Sequence, residues 1–122
     1  MHSGKHNRRA LVVEDEWLLR MELVDEMTAA GWTVSEAATG EAALTQVEES
    51  HFDLLVTDIR LPGVVDGWQV AEAFRQVFPG GGVVYVSANP DLPDRRVVGG
   101  IFLGKPCNMD RFLETCAQLT AG

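Results

Sequence analysis

Five short apolar runs, each followed by a stretch with helical character, constrain the fold of this 122-residue chain more than any other feature. Three of them, Ala10–Val13, Asp53–Thr57 and Val83–Ser87, are continuously apolar and rich in β-branched residues. That composition is typical of strands covered on both faces of a parallel sheet. The other two runs are Thr33–Ala38 and Ile101–Leu103. The alternation predicts a single α/β domain built on five parallel strands.

The segments between these runs carry the apolar spacing and end signals of helices. Helices are predicted at about residues 16–30 and 41–49, from Asp66 to Pro79, and from Asn108 toward the C-terminus. The segment between Ser87 and Lys105 differs, because it has two prolines and little helical periodicity. A fourth helix there is predicted to be short or irregular and confined to about Asp91–Val98.

Charge and apolar length exclude several classes of protein. The chain has 18 acidic and 10 basic residues, a net charge of −8, whereas neutralisation of phosphates favours the opposite sign in a nucleic-acid binder. Its two cysteines cannot form a disulfide framework, and no Cys/His cluster has zinc spacing. Ala10–Val13 is too short for a signal peptide or a membrane span. We expect a cytoplasmic protein with no direct nucleic-acid partner and no membrane association.

Charged and polar side chains follow four of the five predicted strands. Glu14, Asp15 and Glu16 follow the first strand, Asp58 follows the third, Ser87 ends the fourth and Lys105 follows the fifth. Ligands of open parallel sheets bind outside the carboxyl ends of the strands. We therefore expect several carboxylates, a hydroxyl and an ammonium group to meet at one edge of the sheet.

This set of groups fits phosphoryl transfer onto a carboxylate. Clustered carboxylates repel each other and need a cation to stay ionised together, and Mg²⁺ prefers oxygen ligands of this kind. A carboxylate can act as nucleophile toward a phosphoryl group and form an acyl phosphate. A lysine and a hydroxyl can then stabilise the charge on the transferred oxygens.

Each residue also has a simpler interpretation. Asp15 could be the N-cap of the first helix, Ser87 a polar strand end, and Lys105 a solvated lysine with a buried stem. Asp58 is different, because no helix starts after it and there is nothing for it to cap. The order of these residues along the chain, more than any one of them, favours a shared site.

Five segments together resemble the receiver domain of two-component response regulators, of the stand-alone, chemotaxis-regulator-like kind. They are Leu11–Glu16, Val56–Gly63, Asp66–Gly67, Val86–Ala88 and Gly104–Pro106. The resemblance spans residues 9–120 and leaves residues 1–8 as an N-terminal tail. It implies a flavodoxin-like, doubly wound fold with strand order 2-1-3-4-5.

The resemblance also implies roles for single residues. Asp58 would accept a phosphoryl group from a histidine kinase or a histidine phosphotransfer protein. Glu14, Asp15, Asp58 and the backbone carbonyl of Arg60 would hold Mg²⁺. The peptide bond between Lys105 and its proline is often cis in this family.

The remaining implied roles concern the response to phosphorylation. Lys105 would contact the phosphoryl oxygens, and Ser87 would move to hydrogen-bond them, together with a movement of Phe102.

Two departures from the family pattern stand out. The loop between Asp58 and Gly67 is one residue longer than the commonest form, and the segment from Ser87 to Lys105 is some four residues shorter.

The predicted function is that of a single-domain response regulator, a phosphoprotein that switches its contacts with a downstream protein and is not an enzyme. One alternative is a receiver-like interaction module that works without phosphorylation. Another is a receiver domain excised from a hybrid histidine kinase. A phosphohydrolase of the haloacid-dehalogenase type is disfavoured, because its Asp-x-Asp motif follows the first strand, whereas Asp58 follows the third.

Overall fold

The computed structural model describes residues 8–88 and 94–120, which form a five-stranded parallel sheet with the order β2-β1-β3-β4-β5. In chain order the elements are β1 Arg9–Val13, α1 Trp17–Ala29, β2 Thr33–Ala37, α2 Gly40–Glu49, β3 Leu54–Thr57, α3 Gly67–Val77, β4 Gly82–Ser87, β5 Ile101–Gly104 and α4 Met109–Leu119. The predicted fold class and strand order are confirmed.

The central strands are apolar throughout because both faces of the sheet are buried. Successive residues of β1 alternate between two clusters: Leu11 and Val13 pack on the side of α2 and α3, and Ala10 and Val12 on the side of α1 and α4. The first cluster includes Phe74 of α3 among its members. Helices thus cover both faces, and functional groups are left to the ends of the strands.

Side chains cap three of the helices and fix where they start. Asp66 accepts a hydrogen bond from the backbone N–H of Gln69, whose side chain in turn accepts one from the Asp66 N–H. These two bonds form a capping box at the predicted start of this helix. Asn108 caps α4 at the predicted start of that helix, and Thr39 caps α2. Residue 16 occupies the N-cap position of α1 and makes no side-chain cap, which leaves Asp15 outside that role.

The segment before β5 is irregular, as predicted. Residues 94–98 are not helical, and the remainder of the predicted fourth helix lies outside the described residues. Side chains hold this segment instead: the Tyr85 hydroxyl accepts from the Val97 N–H at 3.1 Å, and Arg75 donates to the Val98 carbonyl at 2.6 Å. These bonds take up backbone groups that a helix would use.

Of the predicted tail, residues 1–7 lie outside the described part of the chain. Across the described residues, the helices lack the length and apolar character that a membrane crossing requires.

Candidate functional site

The register of the sheet brings the predicted site residues to one edge. Val13 of β1 pairs with Thr57 of β3, so the residues that follow them, Glu14 and Asp58, leave neighbouring strands side by side. The Asp58 N–H continues the ladder by donating to the Val13 carbonyl at 3.0 Å. On the other side of β4, Ser87 pairs with Gly104 of β5. Lys105 therefore leaves the sheet beside Ser87, and its N–H donates to the Ser87 carbonyl at 3.0 Å.

Lys105 lies at the centre of this edge. Its Nζ atom is 2.8 Å from Asp58 Oδ2, 2.9 Å from Glu14 Oε1 and 3.2 Å from Glu16 Oε1. The side chain of Lys105 is only 14% exposed, so it is not the solvated lysine of the simpler interpretation. The peptide bond from Lys105 to Pro106 is cis, as the resemblance implied.

Two of the acidic side chains are buried despite their charge. Glu14 is 1% exposed and Asp58 is 7% exposed. Backbone N–H groups donate to both: that of Glu16 to Glu14 Oε2 at 3.0 Å and that of Ile59 to Asp58 Oδ1 at 2.7 Å. Hydrogen bonds and an ion pair thus replace the water that burial removes.

Carboxylate oxygens of three residues, Glu14, Asp15 and Asp58, lie within 4.8 Å of one another. Asp15 is exposed, so this group of oxygens is open to solvent on one side. Mg²⁺ uses a few carboxylates and keeps several of its own waters. A compact group of carboxylate oxygens that is open to solvent on one side fits these requirements of Mg²⁺.

Burial and ion pairing shift the pKa values of the charged groups at this site in opposite directions. Burial alone would lower the pKa of Lys105, but the hydrogen bonds to Asp58 and Glu14 outweigh it and hold that pKa above its ordinary value. Burial raises the pKa of Glu14, and the hydrogen bonds from Glu16 N–H and Lys105 offset part of that rise. The site therefore strongly favours a charged lysine and gains from any additional cation.

The predicted switch residues lie next to this edge. Ser87 is buried at the end of β4, and Phe102 of β5 is half-buried against the core cluster on the α2 and α3 side. Arg60 is exposed in the loop after β3. The roles of Ser87, Phe102 and the Arg60 carbonyl stay predictions.

Three residues without a predicted role contact the site or its loops. Glu16 reaches Lys105, as described above, and Arg20 of α1 donates to the Glu14 carbonyl at 2.7 Å. Glu41 of α2 accepts from the N–H groups of Val64 and Val65, at 3.0 and 3.4 Å, and so supports the lengthened loop after Asp58. The sequence indicates Glu16 only as one of three consecutive acidic residues after the first strand. No sequence signal singles out the contacts of Arg20 and Glu41.

Comparison with known proteins agrees with this geometry. The family model for the response regulator receiver domain matches residues 10–117. The chain belongs to the response regulator receiver domain family. Receiver domains are signalling modules of two-component systems. Phosphorylation on an aspartate and Mg²⁺ binding at an acidic pocket are typical of them, and they interact with histidine kinases or phosphotransfer proteins.

Individual receiver-containing proteins are similar over most of the chain. The transcriptional regulatory protein TcrA of Mycobacterium tuberculosis is 35% identical over 117 residues, which is 93% of this chain and 45% of TcrA. This receiver domain therefore spans less than half of that relative's length.

Two solved structures are also similar. A response regulator receiver protein from Sinorhizobium medicae has a TM-score of 0.89 and 30% identity, and the match covers 93% of this chain and 94% of that one. The receiver domain of the hybrid histidine kinase CckA has a TM-score of 0.79 and 32% identity, covering 92% and 98%.

Proposed function

We propose that this receiver domain accepts a phosphoryl group on Asp58, in a two-component phosphorelay, from a histidine kinase or a histidine phosphotransfer protein. The observation that carries the proposal is the position of Lys105 Nζ, 2.8 Å from Asp58 Oδ2 and in contact with the carboxylates of Glu14 and Glu16. Residues 9–120 constitute the domain in this proposal, and residues 1–8 an N-terminal tail.

The transfer is a displacement at phosphorus. An oxygen of the Asp58 carboxylate attacks the phosphorus, the phosphorus–nitrogen bond to the donor histidine breaks, and the electron pair of that bond stays on the imidazole. The product on this chain is an acyl phosphate. Lys105 already contacts Asp58, so its ammonium group is in place to bind the transferred oxygens.

In this proposal Glu14, Asp15, Asp58 and the backbone carbonyl of Arg60 would hold Mg²⁺. The ion, when bound, neutralises part of the charge on the phosphoryl oxygens. Glu14 and Asp58 keep the site preorganised, because backbone N–H groups fix one oxygen of each carboxylate.

The proposed output is a change in contacts with a downstream protein. Phosphorylation adds roughly two negative charges and strong acceptors at Asp58. Ser87, at the end of the neighbouring strand, moves to hydrogen-bond the phosphoryl oxygens. This movement opens space into which the Phe102 side chain moves. In this proposal the end of β4 and β5 can adopt two arrangements, and the new contacts at the phosphoryl group favour one of them.

Intact-mass spectrometry after incubation with acetyl phosphate tests the proposal. We expect one phosphoryl adduct that depends on Mg²⁺ and is absent in Asp58→Asn. A matched control, Asp110→Asn, removes an exposed carboxylate from the first turn of α4 and should leave the adduct unchanged. No adduct on the wild-type chain, with acetyl phosphate or phosphorylated kinases as donors, would contradict the proposal and favour the phosphorylation-independent module.

A receiver domain from a hybrid histidine kinase is the second candidate for the parent protein. The similarity to the CckA receiver domain favours it, because that domain comes from a hybrid kinase. In such a protein the donor histidine lies in the same polypeptide or on the phosphotransfer protein that follows it. The chemistry at Asp58 is the same in both cases.

A further inference from the structure

Arg20 connects the acidic turn after β1 to the neighbouring edge strand. Its Nη1 atom donates to the Glu14 carbonyl at 2.7 Å, and its Nε atom donates to Glu36 Oε1 at 2.9 Å. The Arg20 side chain is 20% exposed. Glu36 pairs with Val12 in the sheet, so this guanidinium joins α1, the end of β1 and β2.

The acidic turn, residues 14–16, needs such a connection because repulsion between its carboxylates disfavours the conformation that brings them together. Glu14, Asp15 and Glu16 are consecutive, and the first two converge with Asp58 within 4.8 Å, where like charges repel. The last sheet bond of this strand is from the Glu14 N–H to the Ala37 carbonyl at 3.1 Å. Glu16, the N-cap residue of α1, makes no side-chain cap hydrogen bond.

Lys105 and Arg20 act on different parts of this turn. Lys105 pairs with the carboxylates of Glu14, Glu16 and Asp58. Arg20 instead binds the Glu14 backbone carbonyl, which belongs to the peptide group between Glu14 and Asp15. A planar guanidinium with two fixed donors suits this task better than an ammonium group does.

We infer that Arg20 is a positioning residue for the metal-binding carboxylates: by fixing the Glu14 carbonyl, it holds Glu14 and Asp15 in the arrangement that meets Asp58. The inference rests on the proposed function, since Mg²⁺ is the ion that these carboxylates would bind. Partners that orient metal ligands commonly contribute strongly to affinity.

Charge and positioning predict opposite results when Arg20 is removed. Loss of a positive charge close to three carboxylates should by itself strengthen the binding of a divalent cation. Loss of the bond to the Glu14 carbonyl should weaken it, because the carboxylates then lose their arrangement. The sign of the change therefore separates the two roles.

Calorimetric titration of Mg²⁺ into the full chain tests this inference. For Arg20→Gln we expect affinity to fall on the order of tenfold, and for Arg20→Lys to fall less. A second variant, Glu36→Gln, keeps the guanidinium but weakens its other anchor, and should give a smaller loss. The control Arg111→Gln makes the same change of charge at an exposed position of α4 and should leave affinity within about twofold of wild type.

A second measurement separates positioning from damage to the reacting groups. The rate of adduct formation from acetyl phosphate should fall in Arg20→Gln at low Mg²⁺ and return to the wild-type rate at saturating Mg²⁺. Unchanged or tighter Mg²⁺ binding in both Arg20→Gln and Arg20→Lys would overturn the inference while the proposed function stands. A wild-type chain that binds no Mg²⁺ and forms no adduct would overturn the proposed function as well.

Discussion

At the scale of single residues, Lys105 is the cation that allows two buried carboxylates to lie next to each other. Its Nζ atom contacts Glu14 and Asp58 at 2.9 and 2.8 Å, and both acids are almost fully buried. Removal of one partner from a buried charged group leaves the others without compensation, and that loss costs more than the pair contributes. The site therefore depends on a positive charge at this point even before any phosphoryl group arrives.

Lys105→Met tests this dependence directly. Without Mg²⁺ we expect the free energy of unfolding to fall by about 3 kcal/mol, because Glu14 and Asp58 lose their shared cation. Urea denaturation measures the change. Saturating Mg²⁺ should reduce the difference between variant and wild type, since a bound cation takes over part of the compensation. Arg111→Met, which removes an exposed cation from α4, is the control. Equal stability of Lys105→Met and wild type without Mg²⁺ would contradict this account.

At the scale of elements, residues 94–100, which precede β5, are held by side chains and not by helical hydrogen bonds. The Tyr85 ring lies in the core, its hydroxyl holds the Val97 N–H, and a Cβ at Gly100 would come within 2.9 Å of that ring. Arg75 holds the next carbonyl, that of Val98. The segment is thereby tied to β4 and α3, close to the proposed switch residue Ser87.

Tyr85→Phe removes the acceptor of the Val97 N–H and keeps the ring. We expect the free energy of unfolding to fall by about 1 kcal/mol, because a partly buried donor loses its partner. Hydrogen exchange should show faster exchange of the Val97 amide, with the Val70 amide in α3 serving as an internal control. Unchanged protection at Val97 would mean that the hydroxyl does not hold this segment.

At the scale of the whole molecule, groups with raised pKa values make the stability of the fold depend on pH in the alkaline range. The folded pKa of Lys105 is raised above its ordinary value of 10.5. Its contribution to stability is therefore fully present below about pH 10.5 and is lost as pH rises toward the folded pKa. Burial also raises the pKa of Tyr85 above 10.0, so that this residue adds a loss of the same sign.

Urea unfolding between pH 8 and pH 11.5 measures this dependence. Burial also raises the pKa of Cys107, and it raises the pKa of Cys116 to about 12. We therefore expect the wild-type chain to lose stability above about pH 9, and Lys105→Met to lose less over the same range, because the Lys105 contribution is absent from it. Tyr85→Phe should lack the loss of stability that is due to Tyr85 and should keep the loss that is due to Lys105. Parallel pH profiles for wild type and Lys105→Met would contradict the assignment to Lys105.

The sequence by itself determined the elements of this protein and the end of the sheet where its chemistry lies. Apolar runs of β-branched residues specify strands covered on both faces, and local caps such as Asp66 and Asn108 specify helix starts, because both depend on near neighbours in the chain. The motif carried by Glu14, Asp15, Asp58, Ser87 and Lys105 then indicated the family, with the strand order that the family implies.

Only the tertiary structure decided the contacts that hold the site in place. That Lys105 bridges Glu14, Glu16 and Asp58, or that Arg20 binds the Glu14 carbonyl, follows from strand register and helix placement. The same holds for Asp15, which a local pattern allows as a helix cap but which the fold directs toward Asp58. The physical reason is range: caps and periodicity act within a few residues, whereas ion pairs join residues as distant as 16 and 105 only after the chain has folded.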